Sequence, residues 1–262
     1  MDFGKLIKNG LKAGLSLYVA AYIAVSGHVV FDYNFNHRQK VEDVNNLPNS
    51  LIIKKYKTKI DNREKMLTLV GETHFYNKLE HQIALEIVAS NENFATECGV
   101  PCRRKSTPID AIVYTALIPA FVYSEFYHHA SGRTYSNLGE IAKSNGFRVY
   151  QLENGSYPIG KLKFKDKLAF IVPSMILGIT APIFYYKAKK EFGNHEFKSP
   201  NLLENPEIQR ILVTERDIEM ANSIEQLLKK PRADKLVASF GLVHFEGIKK
   251  NLSEKIPLEE IK

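Results

Sequence analysis

Cysteine is nearly absent: the chain of 262 residues holds two, Cys98 and Cys102. That shortage excludes a disulfide-rich scaffold, and it excludes a zinc site built on thiolates alone, which needs four sulfur ligands. The CxxxC pair reads as free or incidentally paired. No internal period of repeat length appears, so solenoids and arrays are excluded as well. A mean hydropathy of −0.23 excludes a polytopic membrane protein. With 44% hydrophobic and 25% charged residues the chain has ordinary globular content, and neither disorder nor a collagen-like repeat fits it. Acidic residues are the scarcer sign, 29 against 36 Lys and Arg, for a net charge of +7. Such a balance suits a nucleic-acid binder or a surface facing anionic lipid, and no nucleic-acid recognition motif accompanies it.

What apolar character there is lies in three patches. Ala13 to Phe31 contains no Asp, Glu, Lys or Arg and follows Lys5, Lys8 and Lys12. As a helix it is roughly 28 Å long, close to a hydrocarbon core of roughly 30 Å. It reads as a signal anchor, or as a signal peptide cut after Ala24-Val25-Ser26; a buried or amphipathic N-terminal helix is the alternative. The flanking lysines predict an N-terminal side in the cytoplasm and an extracytoplasmic body. Residues 33–49 read as a linker and 50–262 as the folded body. Within it, apolar helical insertions near 109–127 and 168–186 are expected to pack on the body and rest against lipid rather than cross it. Crossing would put the candidate site residues on opposite sides of the membrane.

Elsewhere strands and helices alternate. Leu51-Ile52-Ile53 with Lys55 to Ile60 reads as a strand or hairpin. Met66 to Val70, Phe94 to Thr96, Phe147 to Leu152 and Leu236 to Phe240 read as strands. Leu79 to Val88, Leu138 to Lys143, Pro206 to Lys229 and Glu246 to Lys255 read as helices. The expected fold is α/β, a central mixed sheet flanked by helices.

One short echo stands out. Gly71-Glu72-Thr73-His74 closes one strand and Gly241-Leu242-Val243-His244 closes another, so two strands deliver a GxxH at their carboxyl ends, where open α/β sheets bind ligands. Glu97 and Glu153 follow two further strands. Two imidazoles and two or three carboxylates make a mixed N/O set for a divalent metal with an open position for water; without metal the same set works as a His/Glu acid–base pair. Glu72 is the spare general base. Tyr135, Tyr150, Tyr157, Tyr185 and Tyr186 would line a pocket if the protein were a binder.

GETH, Ala95-Thr96-Glu97-Cys98, Glu215-Arg216-Asp217-Ile218-Glu219-Met220-Ala221 and the closing Gly241 to Ile248 together resemble the TraB/PrgY/Tiki family, over about residues 66–262. More distantly they resemble the haem-binding ChaN proteins and the erythromycin esterases. The resemblance implies an α/β fold and, for Tiki-like members, a peptidase using a divalent metal such as Mn, Co or Zn. The pheromone-shutdown members are membrane-associated. Carried over, it gives His74 and His244 as the GxxH histidines, Glu97 as the acidic residue after the second strand and Arg216 as the arginine of the ER motif. Arg216 could then orient Glu97, grip a substrate carboxylate, or sit on the helix surface beside Glu215 or Glu219. Two departures stand: Cys98 to Cys102 intervenes before Arg103 and Arg104, and Glu153 stands where relatives tend to carry aspartate. The expectation is therefore a membrane-associated, metal-dependent hydrolase of a peptide or small molecule. His74, Glu97, Glu153 and His244 would be its metal ligands, and Glu72, Glu97 and Arg216 its catalytic groups. A non-catalytic haem- or peptide-binding membrane protein is the alternative.

Overall fold

The computed structural model describes residues 51–97, 134–153 and 206–261, together with positions 16, 19, 20, 23, 162, 163, 165 and 166. Ser16, Val19, Ala20 and Ile23 are helical and exposed. The rest of the expected anchor, the linker, both apolar insertions and the two cysteines lie outside the described residues. Among the described residues no helix is long and apolar enough to cross a membrane.

The elements are β1 (Leu51–Ile60), β2 (Arg63–Glu72), β3 (Phe75–Tyr76), α1 (Lys78–Ala89), β4 (Phe94–Thr96), β5 (Thr134–Tyr135), α2 (Leu138–Ser144) and β6 (Val149–Gln151). They continue with α3 (Pro206–Gln209), a π-helical turn (Arg210–Thr214), α4 (Glu215–Leu228), β7 (Lys235–Gly241), a 3-10 turn (Leu242–His244), α5 (Phe245–Ser253) and β8 (Glu259–Ile261). Six strands form one mixed sheet in the order β6-β4-β7-β2-β1-β8, and β3 pairs with β5 apart from it.

Strand chemistry explains the layout. In β7, Leu236, Ala238 and Phe240 point to one face and pack with Met220, Ala221, Ile224 and Leu228 of α4 and with Ile248 and Leu252 of α5. Val237 points to the other and packs with Val70, Ala84, Val88, Leu138 and Ile141, so α1 and α2 cover that side. A strand covered on both faces reads as a continuous apolar run, which is what β2 and β7 show. β1 is the half-buried partner, alternating exposed lysines with buried Tyr56, Thr58 and Ile60.

Residues 51–60 form one continuous strand, paired antiparallel with β2 from Leu51↔Glu72 to Ile60↔Arg63. Asp61 and Asn62 close this hairpin at φ 49° and 61°. Two positive-φ residues are what a tight I′-type connection needs, and Asp and Asn tolerate them. The expected helix from Pro206 is helical but not uniform: the π turn at 210–214 interrupts it. One widened turn rotates everything after it relative to everything before, which a 3.6-residue periodicity does not register. Asn77 caps α1 reciprocally with Glu80, and Asn137 caps α2 through the Glu140 amide.

β2, β7, β4 and β6 run parallel, and the chain passes from β2 through α1 to β4, skipping the position that β7 later fills. The four carboxyl ends therefore open on one side of the sheet at a reversal of strand order, the place where such sheets accommodate ligands.

Candidate active site

The echo has a structural basis. β2 and β7 are parallel neighbours, with Gly71 opposite Phe240 and Glu72 opposite Gly241, so the two GxxH segments leave the sheet side by side. Glu97 follows β4 and its amide donates to Ser239 O at 2.8 Å; Glu153 lies just past β6. Glu72, His74, Glu97, Glu153, Arg216 and His244 all belong to one linked cluster, to which the structure adds Asp217 and Tyr76.

Arg216 is its centre. The guanidinium donates from Nε to Glu153 Oε1 at 2.6 Å, and from Nη2 to Glu153 Oε2 at 3.0 Å and to Glu97 Oε1. Nη1 faces Leu212 O at 3.4 Å and His244 Nε2 at 3.2 Å. Five N–H donors thus have five acceptors. Arg216 is a clamp holding two glutamates, neither a helix-surface ion pair nor a group with a fork to spare for a substrate carboxylate. The π turn ends two residues before it and sets the face of α4 on which it lies.

The clamp selects the tautomer of His244. Arginine can only donate, so in the neutral ring His244 Nε2 is the acceptor of that contact and Nδ1 carries the proton. That proton points at Asp217 Oδ1, 2.6 Å away. His244 is 2% exposed and both ring nitrogens are engaged inside the protein. Asp217 reaches it because residue 247 is glycine: a Cβ there would overlap Asp217 Oδ2. Gly241 has a similar part, donating its amide to Glu97 Oε2 at 2.6 Å, with that oxygen only 3.1 Å from where a Cβ would stand.

His74 is placed otherwise. Its side chain is 33% exposed, with Nδ1 3.6 Å from Glu72 Oε1 and Nε2 3.9 Å from Glu97 Oε2. Its φ of 61° is in the left-handed region, which costs a non-glycine residue roughly 1 kcal/mol or more. The conformation is held from outside: the Ser136 amide donates to His74 O at 3.0 Å, next to the β3–β5 pairing. Glu72 is fully buried and accepts at Oε2 from the Tyr76 hydroxyl and from the Leu138 amide at 3.1 Å. Its Oε1 has no hydrogen-bond partner among the described residues and is the oxygen turned toward His74.

The electrostatics follow. Burial alone would lower the His74 pKa, but the nearby carboxylate of Glu72 and the charge of Glu97 outweigh it, and the net shift is upward from 6.5. Glu97 shows the reverse balance: burial raises it, yet Arg216, His244, His74 and the Gly241 amide bring it down to about 2. Burial and Glu72 both push the Tyr76 hydroxyl upward, so it remains a proton donor.

The expected metal set is brought together, but around a guanidinium. Both Glu153 oxygens, Glu97 Oε1 and His244 Nε2 face Arg216, which supplies the positive charge a cation would bring. Among the described residues no group of three or more His, Cys, Asp or Glu is arranged to hold a metal ion. A divalent metal at His74, Glu97, Glu153 and His244 would have to displace Arg216 from these atoms. Sequence reasoning missed Asp217, although it stands beside Arg216 in the quoted motif, and it missed Tyr76 and Gly247. No protein-family model, curated protein or solved structure matches the chain.

Proposed function

We propose that the protein is a hydrolase of a peptide or ester carbonyl in which His74 moves the proton. The observation that carries the reading is the contrast in the cluster: His244 is 2% exposed and bound at Nδ1 to Asp217 at 2.6 Å, whereas His74 is 33% exposed and meets carboxylates only at 3.6 and 3.9 Å. In the neutral form it takes a proton from water as that water adds to the carbonyl, and returns it to the leaving group as the tetrahedral adduct collapses. Glu72 and Glu97 flank the ring and stabilise the imidazolium formed between those steps. With a pKa near 2, Glu97 remains a carboxylate throughout. Arg216, Glu153, Asp217 and His244 form the buried frame that keeps Glu97 aimed.

The metal-dependent mechanism expected from the resemblance is the direct competitor. Full-length protein assayed on a peptide library and an aryl-ester series, with and without chelator, separates the two. Hydrolysis that survives chelation and vanishes in His74→Gln supports the metal-free reading; hydrolysis abolished by chelator and restored by Mn, Co or Zn overturns it. Membrane attachment belongs to the same proposal and is supported by the uncharged stretch from Ala13 to Phe31 with its preceding lysines. Retention of the chain in the membrane fraction after a high-salt wash checks it.

A further inference from the structure

At the opposite end of the sheet, by the amino ends of β4 and β7, lies a cavity of about 290 Å³ lined by Tyr150, Leu227, Lys230, Arg232 and Leu236 among others. That is small for a ligand pocket, near the lower bound of roughly 300 Å³. Its apolar floor is Leu227, Ala233 and Leu236, all buried. Its charged rim is of one sign: Lys230 and Arg232 line it, and none of its lining residues is acidic. Lys230 Nζ stands 4.6 Å from the centroid of the Tyr150 ring and Arg148 Cζ 5.1 Å from it. Cations and an aromatic face are thus arrayed together at the mouth.

The wall carrying the two cations is held more firmly than a helix-to-strand turn requires. Lys65, 3% exposed, reaches across from β2 and donates to Asp234 Oδ1 at 2.8 Å and to Lys230 O at 3.3 Å. Asn93 Nδ2 donates to Arg232 O at 3.3 Å and Lys235 O at 3.1 Å from the β4 side. A lysine is seldom buried unless paired, and here its pairing fixes the main chain from which Lys230 and Arg232 project. Two cations projecting from an anchored main chain over an apolar floor are complementary to an anion with a hydrocarbon body.

We infer that this cavity is a second ligand site, separate from the candidate active site, for a small organic anion with a flat apolar body, such as an aromatic carboxylate. The body lies on Leu227, Ala233 and Leu236 beside the Tyr150 ring, and the carboxylate pairs with Lys230 and the fork of Arg232.

The test is calorimetric titration of the full chain with 2-naphthoate at low salt, with 2-naphthylmethanol as its uncharged counterpart. The expected result is saturable 1:1 binding, weakened about tenfold or more in K230E/R232E and similarly weakened for the alcohol. Both substituted side chains are exposed, and a thermal melt of the double variant checks that the fold survives. R232Q alone gives the same direction with a smaller loss. Absence of saturable binding, equal affinity of the alcohol, or undiminished binding in K230E/R232E would each overturn the site.

Discussion

His74 and His244 close the same four-residue motif on neighbouring parallel strands, yet the fold treats them in opposite ways. His244 enters a 3-10 turn in ordinary right-handed conformation, 2% exposed, with a donor on one ring nitrogen and an acceptor facing the other. His74 is strained, 33% exposed and met only loosely by two carboxylates. A group whose hydrogen bonds are all satisfied inside the protein stabilises it. A group held in a costly conformation with bonding capacity to spare is available for chemistry. A shared motif thus specifies where two side chains emerge and leaves their roles to their surroundings.

The comparison breaks most visibly at His74. His74→Gln is expected to lower hydrolysis by about 100-fold or more, the contribution of a positioned general base, while the melting temperature barely changes. A folded variant that keeps its activity would put the proton transfer elsewhere, and one that fails to fold would make His74 a structural residue.

Arg216→Ala carries the next largest effect, and it is on stability. Removing the cation leaves Glu97 and Glu153 facing each other in a partly buried site, at a cost of about 3 kcal/mol or more. Arg216→Lys recovers only part of this, because an ammonium cannot serve five acceptors in a plane. Urea titration of both variants measures the difference; a fully stable alanine variant would mean the clamp is ornamental.

Gly247→Ala sharpens the His244 side. Its new methyl overlaps Asp217 Oδ2, so the carboxylate must move off the ring, costing about 2 kcal/mol for a charged hydrogen bond in a buried place. Pairing it with Asp217→Asn in a double-mutant cycle should show the two losses to be far from additive.

Much of this was legible in the sequence. Apolar runs ending in Gly marked β2 and β7, and the repeated GxxH marked the end of the sheet that matters. Glu97 and Glu153 were found by the same rule, as acidic residues just past predicted strands. What was not legible is what depends on distance across the fold. Nothing in Glu215-Arg216-Asp217 says that the arginine turns inward on two glutamates from other strands while the aspartate holds His244. The π turn that orients both is a local departure from the period by which helices are read. Gly247 looked like any helix glycine until Asp217 lay against it. The Asp61-Asn62 turn was available as a signal, since that dipeptide between two β-prone runs is hairpin chemistry. β8 is three residues, Glu-Glu-Ile, and carries no pattern long enough to find.

The smallest expected effect is on pH dependence. A histidine whose folded pKa lies above its unfolded 6.5 adds stability that is fully present below 6.5 and is lost as pH rises through the folded value. The melting temperature should therefore decline slightly over that window, and His74→Gln should flatten the decline. A slope unchanged in the variant would assign it to another group.

The ring nitrogens themselves test the central claim most directly. Long-range 15N–1H correlation spectra of the full chain, with the two rings assigned through His74→Gln and His244→Gln, report which nitrogen of each bears a proton. The account predicts His244 with a protonated Nδ1 and a bare Nε2 at neutral pH, and His74 titrating above the usual histidine value. His244 protonated on Nε2, or His74 titrating below that value, would contradict the division of labour between them.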